Sequence, residues 1–328
     1  MSNYIKRGKK QVNKLYLIIP IVLVIALAFG GAYYYYQFMI TEYDFSNRLS
    51  ILDVDTRITP IAKNLALPTE DDINVDDISS ESIILAGGDG SLIASKVATK
   101  RMYPASTTKV MTALVALKYG NLTDEVTVTE DSVINEAGAS LAGIHPGDVL
   151  TLDQLLYGLM LPSGNDAANA IAVHVGGSVE NFVKMMNEEA KRIGAVDTNF
   201  VNSNGLSDEN HYTTAYDLYL IFNEALKDPR FANYAGCASY NVTYTAADGS
   251  QVTKNWRNGN RYITGQVAAP YGVAVEAGKT GTTLAAGSCL VISSANDKGN
   301  RYISVVLKSK NRADLYDNMS KLLMKIDK

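Results

Sequence analysis

Residues 106–120 read STTKVMTALVALKYG. Apolar side chains recur there at helical spacing and Gly120 closes the run, so a helix is expected to start near Thr107. Upstream, Ser82 to Leu85 and Ser91 to Val97 are short β-prone runs around Gly87-Gly88-Asp89-Gly90, the pattern of a hairpin. Downstream, helical periodicity returns at about 151–161, 165–175, 178–193 and 213–227. The texture then changes. Ser239 to Tyr244, Gln251 to Trp256, Gly272 to Glu276, Cys289 to Ser293 and Tyr302 to Leu307 are β-prone, separated by turn signals such as Asp248-Gly249 and Lys298-Gly299. A last helical pattern runs from about Ala313 to Ile326. Strands on both sides of a helical block imply an α+β domain, in which an antiparallel sheet flanked by helices joins sequence-distant ends and the block is inserted beside it as a helical subdomain.

The composition sets bounds on the chemistry. With 328 residues, 47% of them hydrophobic, and 25 Gly against 8 Pro, the chain is neither disordered nor collagen-like, and it can build a core without disulfide staples. A net charge of −4 argues against nucleic acid as a partner. Three His and two widely separated Cys leave little from which to make a zinc site, and no cofactor or metal is called for. Cys237 and Cys289 could pair in an oxidising exterior, or Cys289 could be a buried thiol within a strand.

Charge and hydropathy divide the N-terminal quarter. Residues 1–14 carry five cations and no acid, the basic tail expected to stay in the cytoplasm. Leu15 to Tyr36 contains no charge and is long enough to cross a bilayer, so 15–40 reads as a transmembrane anchor. The competing reading is a signal peptide cleaved after Ala26-Leu27-Ala28. Residues 41–80, which include TEDDINVDD, read as an acidic stalk, with a solvated face packed on the domain as the alternative. Residues 81–328 would form the catalytic domain, outside the cell membrane.

Three short motifs carry the chemistry. Ser106 is the only Ser followed by a Lys three positions on, and a helix starting at Thr107 puts Lys109 one turn from Ser106, on the same side. A nucleophilic Ser needs a base, which a Lys of depressed pKa can be, whereas the plain alternative is an N-capping Ser and a surface Lys. Ser163-Gly164-Asn165 follows Pro162 at the entrance to the next helix, where either residue could equally be a cap. Lys279-Thr280-Gly281-Thr282 follows a β-prone run. A phosphate-binding loop would need Gly, four residues, then Gly-Lys-Thr; here five residues separate Gly272 from Gly278 and the spacer is strand-like rather than loop-like, which suits a cation and a hydroxyl offered to a carboxylate.

Ser-x-x-Lys, Ser-x-Asn and Lys-Thr-Gly in this order resemble the signature of penicillin-binding proteins and serine β-lactamases. The stretches YPASTTKVMTALVAL, LPSGNDAANAIA, FVNSNGLSDENHYTTAYDLYLI and VEAGKTGTT more closely resemble the D-alanyl-D-alanine carboxypeptidases of the S11 peptidase family. That resemblance covers about residues 80–310 and implies a penicillin-binding protein/transpeptidase-like fold with the active site at the seam between sheet and helical subdomain. It further implies that Ser106 attacks the D-Ala-D-Ala bond of a peptidoglycan stem peptide, with β-lactams as covalent inhibitors. Lys109 would be the base, Ser163 a proton relay, Asn165 the residue orienting Lys109 and the substrate amide, and Lys279 the cation lowering the Lys109 pKa. Thr280 would bind the terminal carboxylate beside Gly281, and the backbone N–H groups of Ser106 and Thr282 would form the oxyanion hole.

The chain also departs from its relatives. Many of them add a C-terminal β-domain with an amphipathic anchor, whereas this chain ends soon after its last strand, and Thr282 stands where several have His. A cross-link endopeptidase and a non-catalytic penicillin-sensing or wall-binding module are the alternative functions; a β-lactamase of the class A type would need a Glu-x-x-Leu-Asn segment that is absent. His211 is expected to be structural, His145 a turn residue and His174 part of a packed helix.

Overall fold

In this computed structural model, Ala66 and residues 72–327 are described, all within one unit, Lys63–Lys328. The basic tail, the apolar segment 15–40 and most of the expected stalk lie outside the described residues. Among those described, no helix is long and apolar enough to cross a membrane.

The central sheet has five antiparallel strands in the order β2-β1-β9-β8-β7, formed by β1 (Ser82–Gly87), β2 (Leu92–Lys96), β7 (Val273–Thr283), β8 (Gly287–Asn296) and β9 (Arg301–Ser309). The expected hairpin is β1–β2, and β1 pairs with β9 from Ser82↔Leu307 to Gly87↔Tyr302, so distant ends of the chain do meet in one sheet. Alternate residues of the apolar strands feed two cores. Ile84, Val291 and Val305 face one, while Ile83, Leu85, Leu290, Ile292 and Val306 face the other. A sheet covered on both faces explains why these strands read as continuous apolar runs.

Seven helices follow among the described residues: α1 (Lys109–Tyr119), α2 (Leu152–Met160), α3 (Asn165–Gly176), α4 (Val179–Ile193), α5 (Ala215–Ala225), α6 (Pro229–Ala235) and α7 (Arg312–Leu323). Helix α7 covers the second core with Leu315, Met319 and Leu322. Helices α1 and α5 lie in the first core, where Met111, Val115, Leu218 and Phe222 are buried.

The structure corrects the sequence reading in four places. The runs at 239–245 and 251–257 do not join the main sheet; as β5 (Ser239–Thr245) and β6 (Gln251–Arg257) they pair with β3 (Glu125–Thr127) and β4 (Val149–Thr151) in a separate sheet of order β3-β4-β5-β6. Their alternation agrees with this placement, because Val242, Tyr244 and Trp256 point inward while Asn241 and Thr243 face solvent, the pattern of a sheet buried on one side. Strand β7 continues past Glu276 to Thr283, so the Lys-Thr-Gly motif lies within a strand. Helix α6 has a clear start, Asp228 accepting from the Arg230 N–H with Pro229 at the first position, but at seven residues it is too short for periodicity to show. Finally, the compact domain begins before Glu81. Ile73 exchanges backbone hydrogen bonds with Ser95, Val75 and Ile78 are buried against α7, and the Ser79 N–H donates to Asn318 Oδ1. Both Cys237 and Cys289 are free thiols.

One buried acid makes the stability of this scaffold depend on pH. Asp217, on the first turn of α5, is 3% exposed and accepts from Thr198 Oγ1 at 2.7 Å. Burial pushes its carboxyl up to about 6, against the partial relief of that hydrogen bond. Because the folded pKa exceeds the unfolded one, the fold favours the protonated acid; this advantage is complete below about pH 4 and is lost as pH rises through 6. Asp217→Asn is therefore expected to raise stability by about 2 kcal/mol at pH 7.5 and to make little difference at pH 4, as read by denaturant titrations of both proteins at both pH values. An equal gap at the two pH values would contradict the burial argument.

Candidate active site

Pro104 precedes a 3₁₀ turn, Ala105–Thr108, that feeds directly into α1. The chain turns sharply here, since Ala105 has φ +49°. Local hydrogen bonds hold the turn: Thr107 Oγ1 donates to Pro104 O at 2.7 Å and Thr108 Oγ1 to Ala105 O at 2.8 Å. His211 supports it from below. Its Nδ1 accepts from the Val201 N–H at 3.1 Å, which leaves the ring proton on Nε2, 2.8 Å from Thr108 Oγ1. Burial holds this imidazole down at about 4, so it stays neutral and structural, as expected from the sequence. Gly205 passes so close that a Cβ on it would lie 2.0 Å from Ala105 O, and its φ of +92° suits glycine alone. The Ser106 turn is thus set from three sides before any catalytic contact is made.

No side chain caps the 3₁₀ turn or α1, so the plain reading of Ser106 as a helix cap fails. Its Oγ instead lies 3.0 Å from Lys109 Nζ. Lys109 is fully buried, and its Nζ donates to Asn165 Oδ1 at 2.7 Å and to Asn204 O at 2.6 Å. A neutral amine has two N–H bonds and one lone pair. Two carbonyl oxygens use the first two, and the lone pair is left for the Ser106 hydroxyl. Burial, then the nearby Lys279 charge, drives the Lys109 pKa well below that of an ordinary lysine, with Asp166 opposing.

The second motif behaves in the same way. The N-cap of α3 is Gly164 with no side-chain hydrogen bond, so neither Ser163 nor Asn165 is a cap. Ser163 sits at φ +63°, a conformation rare for serine, and its Oγ accepts from Lys279 Nζ at 2.9 Å. Lys279 also donates to Thr280 O at 3.0 Å. Burial, with Arg312 adding to it, pushes the Lys279 pKa down to about 7. Lys279 and Gly281 share one face of β7, and that face meets the Ser106 turn: a Cβ at 281 would lie 2.9 Å from Ser106 N. Since β7 is an edge strand of the sheet, it runs alongside the nucleophile with one backbone edge unpaired by a neighbouring strand.

Above these side chains lies a cleft of about 500 Å³, lined by Ser106, Asn165 and Thr282 of the motifs. Lys109 and Lys279 lie beneath its surface, and Thr280 stands beside Gly259, where a Cβ would be 3.3 Å from its Oγ1. A larger hollow of about 750 Å³ contains no motif residue; ion pairs joining Lys118, Glu189, Arg192 and Glu224 run across it.

Sequence reasoning missed two parts of the site. Asn204 contributes only its carbonyl to Lys109, and a main-chain acceptor leaves no residue signature. Asp166 accepts from the N–H groups of Ala142, Gly143, Ile144 and Ala167 at 2.7–3.1 Å, which fixes the loop forming one cleft wall. Its signal, an acid on the first turn of a helix, is too common to single out.

Comparison with known proteins agrees with this geometry. A sequence model described as D-alanyl-D-alanine carboxypeptidase matches residues 69–311. The chain is 33% identical over 253 residues to the D-alanyl-D-alanine carboxypeptidase DacF of Bacillus subtilis, covering 75% of this chain and 61% of that one. It is 34% identical over 233 residues to the D-alanyl-D-alanine carboxypeptidase of Streptomyces sp. strain K15, covering 68% and 78%. The crystal structure of the Streptomyces K15 DD-transpeptidase superposes with a TM-score of 0.71 at 30% identity, over 77% of this chain and 98% of that one. The chain spans about three fifths of the length of some curated relatives, DacF of B. subtilis and DacC of Escherichia coli among them. With a penicillin-binding protein fold, three motifs meeting at one cleft and a family match over most of its length, this chain belongs to the D-alanyl-D-alanine carboxypeptidase family, the S11 serine peptidases.

Proposed function

We propose that the protein is a serine-type D-Ala-D-Ala carboxypeptidase acting on peptidoglycan stem peptides and covalently inhibited by β-lactams. The observation that carries this reading is the threefold environment of Lys109 Nζ, with two carbonyl acceptors and the Ser106 hydroxyl 3.0 Å away. Ser106 Oγ attacks the carbonyl carbon of the D-Ala-D-Ala bond as its proton passes to Lys109 Nζ. The backbone N–H groups of Ser106 and Thr282 receive the developing oxyanion, and Asn165 holds both Lys109 and the substrate amide. The proton then reaches the leaving amine through Ser163, which Lys279 orients. Thr280 takes the terminal carboxylate, with the Lys279 charge behind it. D-Ala departs, and water hydrolyses the ester on Ser106. A β-lactam follows the same first step, its ring opening in place of peptide cleavage.

The N-terminal segment 15–40 anchors the protein in the cell membrane, with residues 1–14 in the cytoplasm and the catalytic domain outside; the charge-free run and its five preceding cations support this placement. The function is tested by following D-Ala release from diacetyl-L-Lys-D-Ala-D-Ala, with and without an added amine acceptor, since the similar Streptomyces K15 enzyme is a DD-transpeptidase. The expected result is stoichiometric D-Ala release without acceptor, abolished by prior treatment with benzylpenicillin. Release that requires the acceptor would make the protein a transpeptidase instead.

A further inference from the structure

The cleft has an uneven distribution of charge. Its two lysines, Lys109 and Lys279, lie buried beneath the floor, with Arg312 near enough to depress the Lys279 pKa. Among the described residues lining it, Glu136 alone carries a charge, and that residue is exposed. Its neutral walls mix hydroxyl side chains, among them Ser207 and Thr283, with apolar ones: Ala137, Ala139 and Leu206 line the same cleft, and Leu284, at the turn after β7, leaves its side chain fully in solvent. The wall bearing Glu136 is itself held in place, since Asn165 N donates to Ser140 O at 2.8 Å and Asp166 clamps the residues that follow. A carboxylate sharing a cleft with alanine and leucine side chains complements a long aliphatic side chain that ends in an ammonium group.

Resting on the carboxypeptidase reading, we propose that Glu136 is a specificity-determining residue that selects stem peptides whose residue before D-Ala-D-Ala carries a free, cationic side-chain amine. The aliphatic part of that side chain lies along Leu206 and Leu284 while its ammonium group pairs with Glu136. Acylating the amine removes its charge, and forming a wall cross-link through it does the same. Glu136 therefore favours stems whose own side-chain amine is not yet used in a cross-link. Because the carboxylate is exposed, its effect is that of a solvent-screened pair, about three- to five-fold.

The test compares two peptides on the full-length chain, Nα-acetyl-L-Lys-D-Ala-D-Ala with a free ε-amine and its Nα,Nε-diacetyl counterpart. The readout is the ratio of kcat/KM values, in wild type, Glu136→Gln and Glu136→Lys, so that any general loss of activity cancels. Wild type is expected to prefer the free amine about three- to five-fold at low salt, Glu136→Gln to bring the ratio near one, and Glu136→Lys to invert it. The same ratio is read by the protection each peptide gives against acylation by a fluorescent penicillin, which needs no turnover. Acylation by penicillin with no peptide discrimination in wild type, or a preference that survives Glu136→Gln, overturns this inference alone. A wild-type chain that neither releases D-Ala nor reacts with penicillin overturns the carboxypeptidase reading, and this inference with it.

Discussion

Ser106→Ala is expected to abolish both covalent capture of a fluorescent penicillin and D-Ala release, a loss of at least about 10⁴-fold in acylation. The size follows from the chemistry. Among the described residues Ser106 supplies the hydroxyl at Lys109 Nζ, and without a nucleophile there is no ester to form, whatever the rest of the cleft still binds. The change is mild for the fold, because the one side-chain bond lost is that to Lys109, whose Nζ keeps both Asn165 Oδ1 and Asn204 O. Stability should move by no more than about 1 kcal/mol. Denaturant titration beside the labelling gel separates the two outcomes, and labelling that persists in a folded variant would place the nucleophile elsewhere.

The second large effect is expected at the base. Lys109→Ala should slow acylation by about 10²–10⁴-fold while the protein still folds, as read by stopped-flow penicillin acylation and thermal melting. Burial followed by the Lys279 charge lowers the Lys109 pKa and so favours its neutral amine, the form that can accept the Ser106 proton. The sign of the pH dependence follows. In the wild type, acylation should fall on the acid side as Lys109 gains a proton, and the variant should lose that limb. Removing the amine leaves Asn165 Oδ1 and Asn204 O without their donor, a cost of about 1–3 kcal/mol for each buried acceptor, offset in part by no longer burying a lysine. Near-normal acylation by the variant would remove Lys109 from the base role.

Much of this architecture was legible in the sequence for identifiable reasons. Helix α4 shows helical periodicity because it buries one side, α1 reads as a long apolar run closed by Gly120 because Lys109 to Leu117 are all buried, and the strands of the main sheet read as apolar runs because both faces are covered. The motif residues were legible because their chemistry lies in side chains at fixed spacing: Lys109 one turn from Ser106, Asn165 at the start of α3, Lys279 and Gly281 on one face of β7. Features that depend on the backbone or on distant partners were not. Strands β3 and β4, three residues each, pair with one another and meet β5 only at Val149↔Thr245, too short for alternation to show. The packing of Val75 and Ile78 on α7 could not be read from a stretch dominated by acids. The positive φ of Ser163 and the Asn204 carbonyl have no counterpart in residue type. Cys237 and Cys289 illustrate the limit of counting: two cysteines permitted a disulfide, and the fold leaves both free.

The central claim is that Ser106 carries the acyl group. Its most direct test is to react the full-length chain with benzylpenicillin, digest it and locate the adduct by mass spectrometry. The account predicts a single penicilloyl group on the peptide containing Ser106, formed in step with the loss of D-Ala release. An adduct on any other residue, or full loss of D-Ala release with Ser106 unmodified, would contradict it.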